Sequence, residues 1–292
     1  MTQFTSAALI VNAKSRKGQK LFKRACAAME GLPFPVDAHA VEDPEDLERT
    51  VTAALARKPG LVILGGGDGT VSGLVDLLVG KGVVLGVLPL GTANSFARTL
   101  GLPLDIEGAV EAIRSGRPKR IDLGMIDGDY FANCAAMGIS PQIAETVPHG
   151  LKKVLGRIGY LGWASWQFAR FKPFILTVTD GDAVKTMRVV EVRISNGPSH
   201  GGTWLVDEAS IASGEIVVQA VTGRYKRTLV KNWAASFFGH DARHQDTISF
   251  SGKALKVETR PPMPISIDGE VLAHTPVTAR VAAGVIEVMV PA

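Results

Sequence analysis

The run Gly65-Gly66-Gly67-Asp68-Gly69-Thr70 constrains this chain more than any other stretch. It follows directly on the apolar segment LVIL and directly precedes TVSGLVDLLVG, which reads as a helix. Glycines there let the backbone turn tightly and approach a ligand closely. The helix that follows offers free N–H groups and the positive end of its dipole, a natural seat for phosphate. The Lys-Ser/Thr pair of a Walker A loop is missing, and the glycine spacing is not that of the usual dinucleotide fingerprint. A carboxylate inside such a loop makes sense if Asp68 holds Mg²⁺, directly or through water. A plain connection between strand and helix would not need six consecutive turn-type residues.

The surrounding pattern supplies the scaffold. AALIVNA, near residues 6–12, reads as a buried strand, and a helical pattern runs through Leu21, Ala25 and Met29. A short strand near Val36–Ala40 precedes EDPEDLERTVTAALARK, whose early acids and final Arg57-Lys58 suit a helix dipole. GVVLGVLPLG reads as another buried strand. This alternation predicts a parallel sheet in an α/β domain. The loop after that strand, Pro89-Leu90-Gly91-Thr92-Ala93-Asn94-Ser95-Phe96-Ala97-Arg98, should lie at the same sheet edge as the glycine loop. Gly91, Thr92 and Asn94 then face it, with Thr92 or Asn94 placed to cap a helix starting near Ala93.

After about residue 120 the texture changes. A helical stretch near Gly150–Phe171 is followed by runs of β character: FILTVTD, MRVVEVRIS, EIVVQAV, DTISFSG, ALKVETR, PISIDGE and VIEVMVP. Turn residues separate them, which predicts an antiparallel sandwich or barrel. The expected division is residues 1–122 and 123–292, with the C-terminal end able to pack back on the first domain.

Composition excludes whole classes. With 292 residues, 46% apolar, and 32 basic against 28 acidic side chains, the chain is too apolar and too evenly charged to be disordered. No apolar run approaches the roughly 18–20 residues of a membrane span, and the N-terminus lacks the pattern of a secretory signal. Cys26 and Cys134 make neither a disulfide framework nor a zinc site, and read as small hydrophobes in a reducing compartment. The six histidines show no zinc spacing and read as surface or loop residues. The expected location is cytoplasmic.

The net +4 charge hides a local bias. Lys152–Phe174 joins Lys152, Lys153, Arg157 and Lys172 to Trp163, Trp166 and other aromatics, without an acid. Arg224-Tyr225-Lys226-Arg227, Lys231, Trp233, Phe237 and Phe238 repeat the combination. Basic residues attract anionic headgroups at about 1 kcal/mol each near the surface, and Trp and Tyr favour the interface. The pattern suits reversible docking on the cytoplasmic membrane surface, or an aromatic core with a basic rim. No nucleic-acid motif accompanies it.

Together the two loops resemble the catalytic domain of the diacylglycerol kinase and sphingosine kinase superfamily, notably its bacterial lipid kinases. That family's GGDGT loop and PLGT-x-N-x-(F/L)-A-R segment stand here as Gly66–Thr70 and Pro89–Arg98. Asn12-Ala13-Lys14-Ser15-Arg16-Lys17-Gly18 looks like its first nucleotide loop, Ser195-Asn196-Gly197 with Gly201-Gly202 like its N-(x)-GGG segment, and Ile267-Asp268-Gly269-Glu270 like its late D-G-E motif. GGDGT alone is weak, since NAD kinases and phosphofructokinases carry similar loops. The ordered set covers nearly the whole chain and is strong.

The resemblance implies a phosphofructokinase-like α/β domain that binds ATP and Mg²⁺, followed by a β-sandwich that closes the cleft and carries a lipid acceptor. Asn12, Ser15, Lys17, Gly65, Gly66, Gly67, Asp68, Gly69, Thr70, Gly91, Thr92 and Asn94 are the expected nucleotide contacts, with Asp68 toward the metal. Asp268 is the expected base, with Glu270 on the same strand face roughly 7 Å away; Asp68 completes the catalytic set. The implied activity is transfer of the γ-phosphate to a hydroxyl of diacylglycerol or a similar lipid. A sphingoid-base or ceramide kinase would use the same motifs. An NAD kinase-type enzyme fits PLGT-x-N-x-FAR less well, and intact Asp68, Asp268 and Glu270 argue against a catalytically silent nucleotide-binding regulator. A homo-oligomer is compatible with the sequence. The chain departs from the pattern at Ala13, Arg16 and Ser95. Ala212-Ser213-Gly214 lacks the carboxylates with which several bacterial members hold a structural Mg²⁺, so that site is not expected here.

Overall fold

A computed structural model describes residues 4–14, 16–138, 170–223, 246–268 and 270–292. Within them the chain begins with β1 (Ala7–Asn12), α1 (Arg16–Met29), β2 (Val36–Val41), α2 (Leu47–Ala56), β3 (Leu61–Gly66), α3 (Asp68–Val75), β4 (Val84–Pro89), α4 (Ser95–Thr99) and α5 (Ile106–Ser115). The first four strands are parallel, in the order β4-β3-β1-β2. β1, β3 and β4 are continuous apolar runs because both faces are covered, whereas the edge strand β2, VDAHAV, is partly exposed. Ala8, Ile10, Val62 and Leu64 pack toward α2 and α3. Ala7, Leu9, Leu61 and Ile63 pack toward α1 and α5. The acidic segment splits into a short 3-10 turn at Pro44–Asp46 and α2. The helix stops at Ala56, before Arg57 and Lys58, so these basic residues lie beyond its last turn.

The rest is antiparallel and forms a β-sandwich. It contains β5 (Arg117–Ile126), β6 (Asp129–Phe131), β7 (Cys134–Gly138), β8 (Phe174–Asp180), β9 (Ala183–Ser195), β10 (Ser199–His200), β11 (Thr203–Trp204), β12 (Ile216–Thr222), β13 (Thr247–Gly252), β14 (Ala254–Arg260), β15 (Pro264–Ile267), β16 (Glu270–His274) and β17 (Val277–Val290). Position 122 falls inside β5. β9 alternates from Val190 onward. Val190, Val192 and Ile194 enter the sandwich core, while Arg193 and Ser195 are turned to the other face. The helical stretch expected near Gly150–Phe171 and the second basic–aromatic segment fall almost wholly outside the described residues.

β17 joins the two halves, with β5 beside it: Ile121 and Leu123 lie in the α/β core and Ile126 in the sandwich core. β17 pairs antiparallel with β14 and β5, then runs parallel beside β4 through Glu287↔Val84 and Val288↔Leu85. Val277 and Ala279 therefore lie in the sandwich core, and Ile286, Val288 and Val290 in the α/β core. The register slips between Ala282 and Ile286, where Gly284 takes φ +59 and gives its N–H to Asp122 Oδ1 at 2.8 Å. Such a bulge bends the strand as it passes from one core to the other. Among the described residues, no helix is long and apolar enough to cross a membrane.

Candidate active site

Three loop ends of the parallel sheet meet at one edge. Asn12 closes β1 and donates from Nδ2 to Thr70 Oγ1 at 3.4 Å. Gly65 and Gly66 are the buried end of β3, and Gly67 is the N-cap of α3. Gly67 brings no side chain to cap that helix, so its first-turn N–H groups are left for a ligand. Gly67, Asp68, Gly69 and Thr70 are half-buried at the edge. Gly91 lies so close that a Cβ there would fall 2.5 Å from Gly67 Cα. Beside this contact is a cleft of about 190 Å³ bordered by Asn12, Gly18, Gly66, Gly67, Thr70 and Leu90.

The second loop differs from expectation in detail. Its helix, α4, starts at Ser95 rather than near Ala93. Asn94 occupies the N-cap position with φ +50, but its side chain makes no cap bond. The carboxamide turns back into its own loop, accepting from Gly91 N at 2.9 Å and donating to Gly91 O at 3.1 Å and Pro89 O at 3.4 Å. Asn94 is only 7% exposed, so it shapes the loop instead of reaching outward. Thr92 is exposed. Asp68 takes over the cap: its Oδ1 accepts from Phe96 N at 2.9 Å. Ser15 and the side chains of Lys17 and Glu270 lie outside the described residues.

Asp268 arrives from the sandwich, between β15 and β16. Its Oδ2 accepts from Ser72 Oγ at 2.6 Å and from Asn133 N at 3.3 Å, and its Oδ1 accepts from Cys134 N at 3.1 Å. Burial pushes its carboxyl up to about 6; the bonds from Ser72 and the two N–H groups oppose that, and the charge of Asp68 adds to it. A carboxylate poised near neutrality, one helical turn from the glycine loop, has the properties of a general base.

The structure adds residues that the sequence did not single out. Ser72 stands four positions after Asp68 on α3, the spacing that stacks side chains on one helix face. Arg193 is 2% exposed, gives Nε to Glu191 Oε1 at 3.0 Å and Nη1 to Gln219 Oε1 at 2.8 Å. The alternation of β9 was the available sign: Arg193 falls in phase with Ser195, not with the valines. His200, expected as a surface or loop residue, sits half-buried on the short β10–β11 hairpin, which docks on the second loop through Gly202 N to Ser95 Oγ at 3.0 Å. Burial pushes the His200 imidazole down, with Arg193 adding to the effect and Glu191 and Asp68 opposing it. Asn133 joins these residues, beside Asn196 of the Ser195-Asn196-Gly197 motif: Asn133 Oδ1 accepts from Thr99 Oγ1 at 2.9 Å, and Asn196 Nδ2 donates to the carbonyls of Asp122 and Ala132, both at 2.9 Å.

Known proteins match this arrangement over almost its whole length. Residues 6–126 match the family model "Diacylglycerol kinase catalytic domain", and residues 133–290 match "YegS C-terminal NAD kinase beta sandwich-like domain". An uncharacterized Synechocystis protein is 30% identical over 234 residues, 75% of this chain, which spans about half (52%) of that relative. A diacylglycerol kinase of Staphylococcus epidermidis is 27% identical over 276 residues, covering 87% of this chain and 82% of the relative. A solved structure of a diacylglycerol kinase from Bacillus anthracis superposes with a TM-score of 0.75 at 21% identity, covering 99% of this chain and 98% of the other; it speaks for the fold alone. The chain belongs to the diacylglycerol kinase-like superfamily, joining that family's catalytic domain to its β-sandwich domain.

Proposed function

We propose that this protein is an ATP- and Mg²⁺-dependent lipid kinase that transfers the γ-phosphate to a hydroxyl of diacylglycerol or a similar lipid. The observation that carries the proposal is the meeting of Asp268, from the sandwich, with α3, whose N-terminus is the glycine loop. The loop, Asn12 and the backbone around Gly91 would hold the phosphates. Their N–H groups would offset charge that spreads over the phosphoryl oxygens in the transition state. Asp268 would take the proton of the acceptor hydroxyl as its oxygen bonds to the γ-phosphorus. The bond to the β–γ bridging oxygen breaks, and ADP departs with the electron pair. Glu270 is the second acid of this motif.

Asp68 fits a metal contact of the kind Mg²⁺ uses with nucleotides, one or two carboxylates plus phosphate oxygens and waters. Its Oδ1 is committed to Phe96 N, and its Oδ2 has no hydrogen-bond partner among the described residues. Bound there, the ion would supply charge neutralisation beside the phosphates. We also infer that the enzyme meets its substrate at the cytoplasmic membrane surface through the basic–aromatic segments at Lys152–Phe174 and 224–238.

The test is incubation with radiolabelled ATP and a lipid panel in mixed micelles, with NAD in parallel. Label in diacylglycerol that disappears in Asp268→Ala supports the proposal. Label in NADP alone overturns it. Salt-sensitive pelleting with anionic liposomes tests docking; binding unchanged after charge reversal at Lys152 and Lys153 would refute it.

A further inference from the structure

Ser72 lies outside every motif discussed above, yet it is the α/β domain's hydrogen bond to Asp268. The residue is 7% exposed, and its oxygen is engaged twice. It accepts from Ala132 N at 3.0 Å and lies 2.6 Å from Asp268 Oδ2. A serine hydroxyl has one proton. With Ala132 N–H bonded to a lone pair, that proton points to the carboxylate. The other bonds to Asp268 come from the start of β7, through the N–H groups of Asn133 and Cys134. Asp268 itself holds φ +42, an uncommon conformation for a residue with a side chain, so its orientation depends on these surroundings.

We propose that Ser72 is a positioning residue for phosphoryl transfer, its hydroxyl clamping Asp268 Oδ2 from the nucleotide side so that Oδ1 keeps a lone pair toward the acceptor hydroxyl. The inference rests on Asp268 being the base. It makes the base depend on docking of the two domains, because the clamp and the carboxylate belong to different ones. The proton balance is that of the transfer step: the hydroxyl proton of the acceptor goes to Asp268, and Ser72 keeps its own.

The groups around Asp268 set the direction of the expected shift. Asp68 on α3 raises it by like charge, and the Ser72 bond favours the ionised form. On β7 the Cys134 thiol is itself pushed up to about 12 and stays neutral. Arg193 and Glu191 on β9 both act on that thiol and on His200 of the hairpin, with opposite signs. Glu270 follows on β16. Loss of the Ser72 hydroxyl therefore moves Asp268 further up.

The experiment compares pH–rate profiles of the wild type, Ser72→Ala and Ser72→Thr, with ATP and a diacylglycerol in detergent micelles; thermal melts verify folding. In Ser72→Ala, kcat at pH 7 should fall about tenfold with KM for ATP within about twofold, and the acid limb should move up by about half a pH unit or more. Ser72→Thr, which keeps the hydroxyl, should restore both. A ¹³C-carboxyl NMR titration of Asp268, assigned with Asp268→Asn, reads the same coupling without turnover. An unmoved Asp268 midpoint in Ser72→Ala overturns the proposal, as does a fall in kcat with an unmoved acid limb. Full activity in Asp268→Asn would instead sink the base reading, while the titration would still decide whether Ser72 sets this carboxylate.

Discussion

Gly67 and Gly91 meet backbone to backbone, with no room for a side chain on Gly91. They follow β3 and β4, neighbouring parallel strands whose pairing ends at Gly66↔Pro89. Parallel pairing places both loops at one edge of the sheet. A phosphate seated at the start of α3 is then within reach of both backbones at once.

Gly91→Ala tests that contact. The added Cβ would fall 2.5 Å from Gly67 Cα, 2.9 Å from Asn94 Oδ1 and 3.3 Å from Gly67 N. Backbone cannot yield as a flexible side chain does, so the loops must part. Displacing positioned groups by about an ångström weakens binding and transfer sharply, so KM for ATP should rise about tenfold or more. Steady-state kinetics and ATP calorimetry read it. Unchanged ATP affinity would show that the two loops do not act as one site.

Asn94→Ala should destabilise the chain by about 4 kcal/mol. It removes three bonds worth about 1 kcal/mol each and replaces Asn, which tolerates the left-handed region, with Ala, which does not, costing a further ~1 kcal/mol. Asn94→Gly loses the same bonds but not the backbone conformation, and should cost less. Urea denaturation of the two variants separates the contributions. Equal losses would mean that the left-handed backbone contributes nothing.

The strands were legible because their burial differs by type. β1, β3 and β4 are covered on both faces and read as unbroken apolar runs; β8 and β14 alternate because only one face is in the core. β5 was not read as a strand: its first four residues, Arg117-Pro118-Lys119-Arg120, are polar and partly exposed, and pairing with β17 holds them extended. The glycine loop and Asp268 were legible through motif order. Ser72 was not, because a single serine on a helix carries no signal until the fold brings it to a residue 196 positions away. Asn94 was legible as important, but not its inward turn, which follows from a backbone angle that no spacing reveals.

Arg193→Met tests a buried charge that serves the sandwich. Its guanidinium holds Glu191 and Gln219 on the face opposite the valine core. Breaking a buried pair from one side costs about 3 kcal/mol, because the carboxylate loses its cation in a poorly solvated place. The double variant Arg193→Met with Glu191→Gln should recover much of the loss. Urea midpoints in both backgrounds give the coupling. Strictly additive losses would rule out the pair as a unit.

The raised carboxyl of Asp268 fixes the sign of one pH dependence. Its value moves from an ordinary 3.8 to about 6, mainly by burial. Between these values the folded chain binds more protons than the unfolded chain, so stability falls as pH rises through that window. The whole penalty is present above about pH 6 and absent below the unfolded value. Its ceiling is about 3 kcal/mol, since each unit is worth about 1.4 kcal/mol. Asp268→Asn cannot ionise and escapes this penalty, whatever it loses in hydrogen bonds. The stability of the wild type minus that of Asp268→Asn should therefore be most favourable near pH 4 and decline by about 2 kcal/mol by pH 7. Taking the difference cancels every other group that titrates alike in both proteins. Urea denaturation at half-unit steps measures it. A flat difference would show that Asp268 ionises as freely folded as unfolded, and a rising one that its partners outweigh its burial.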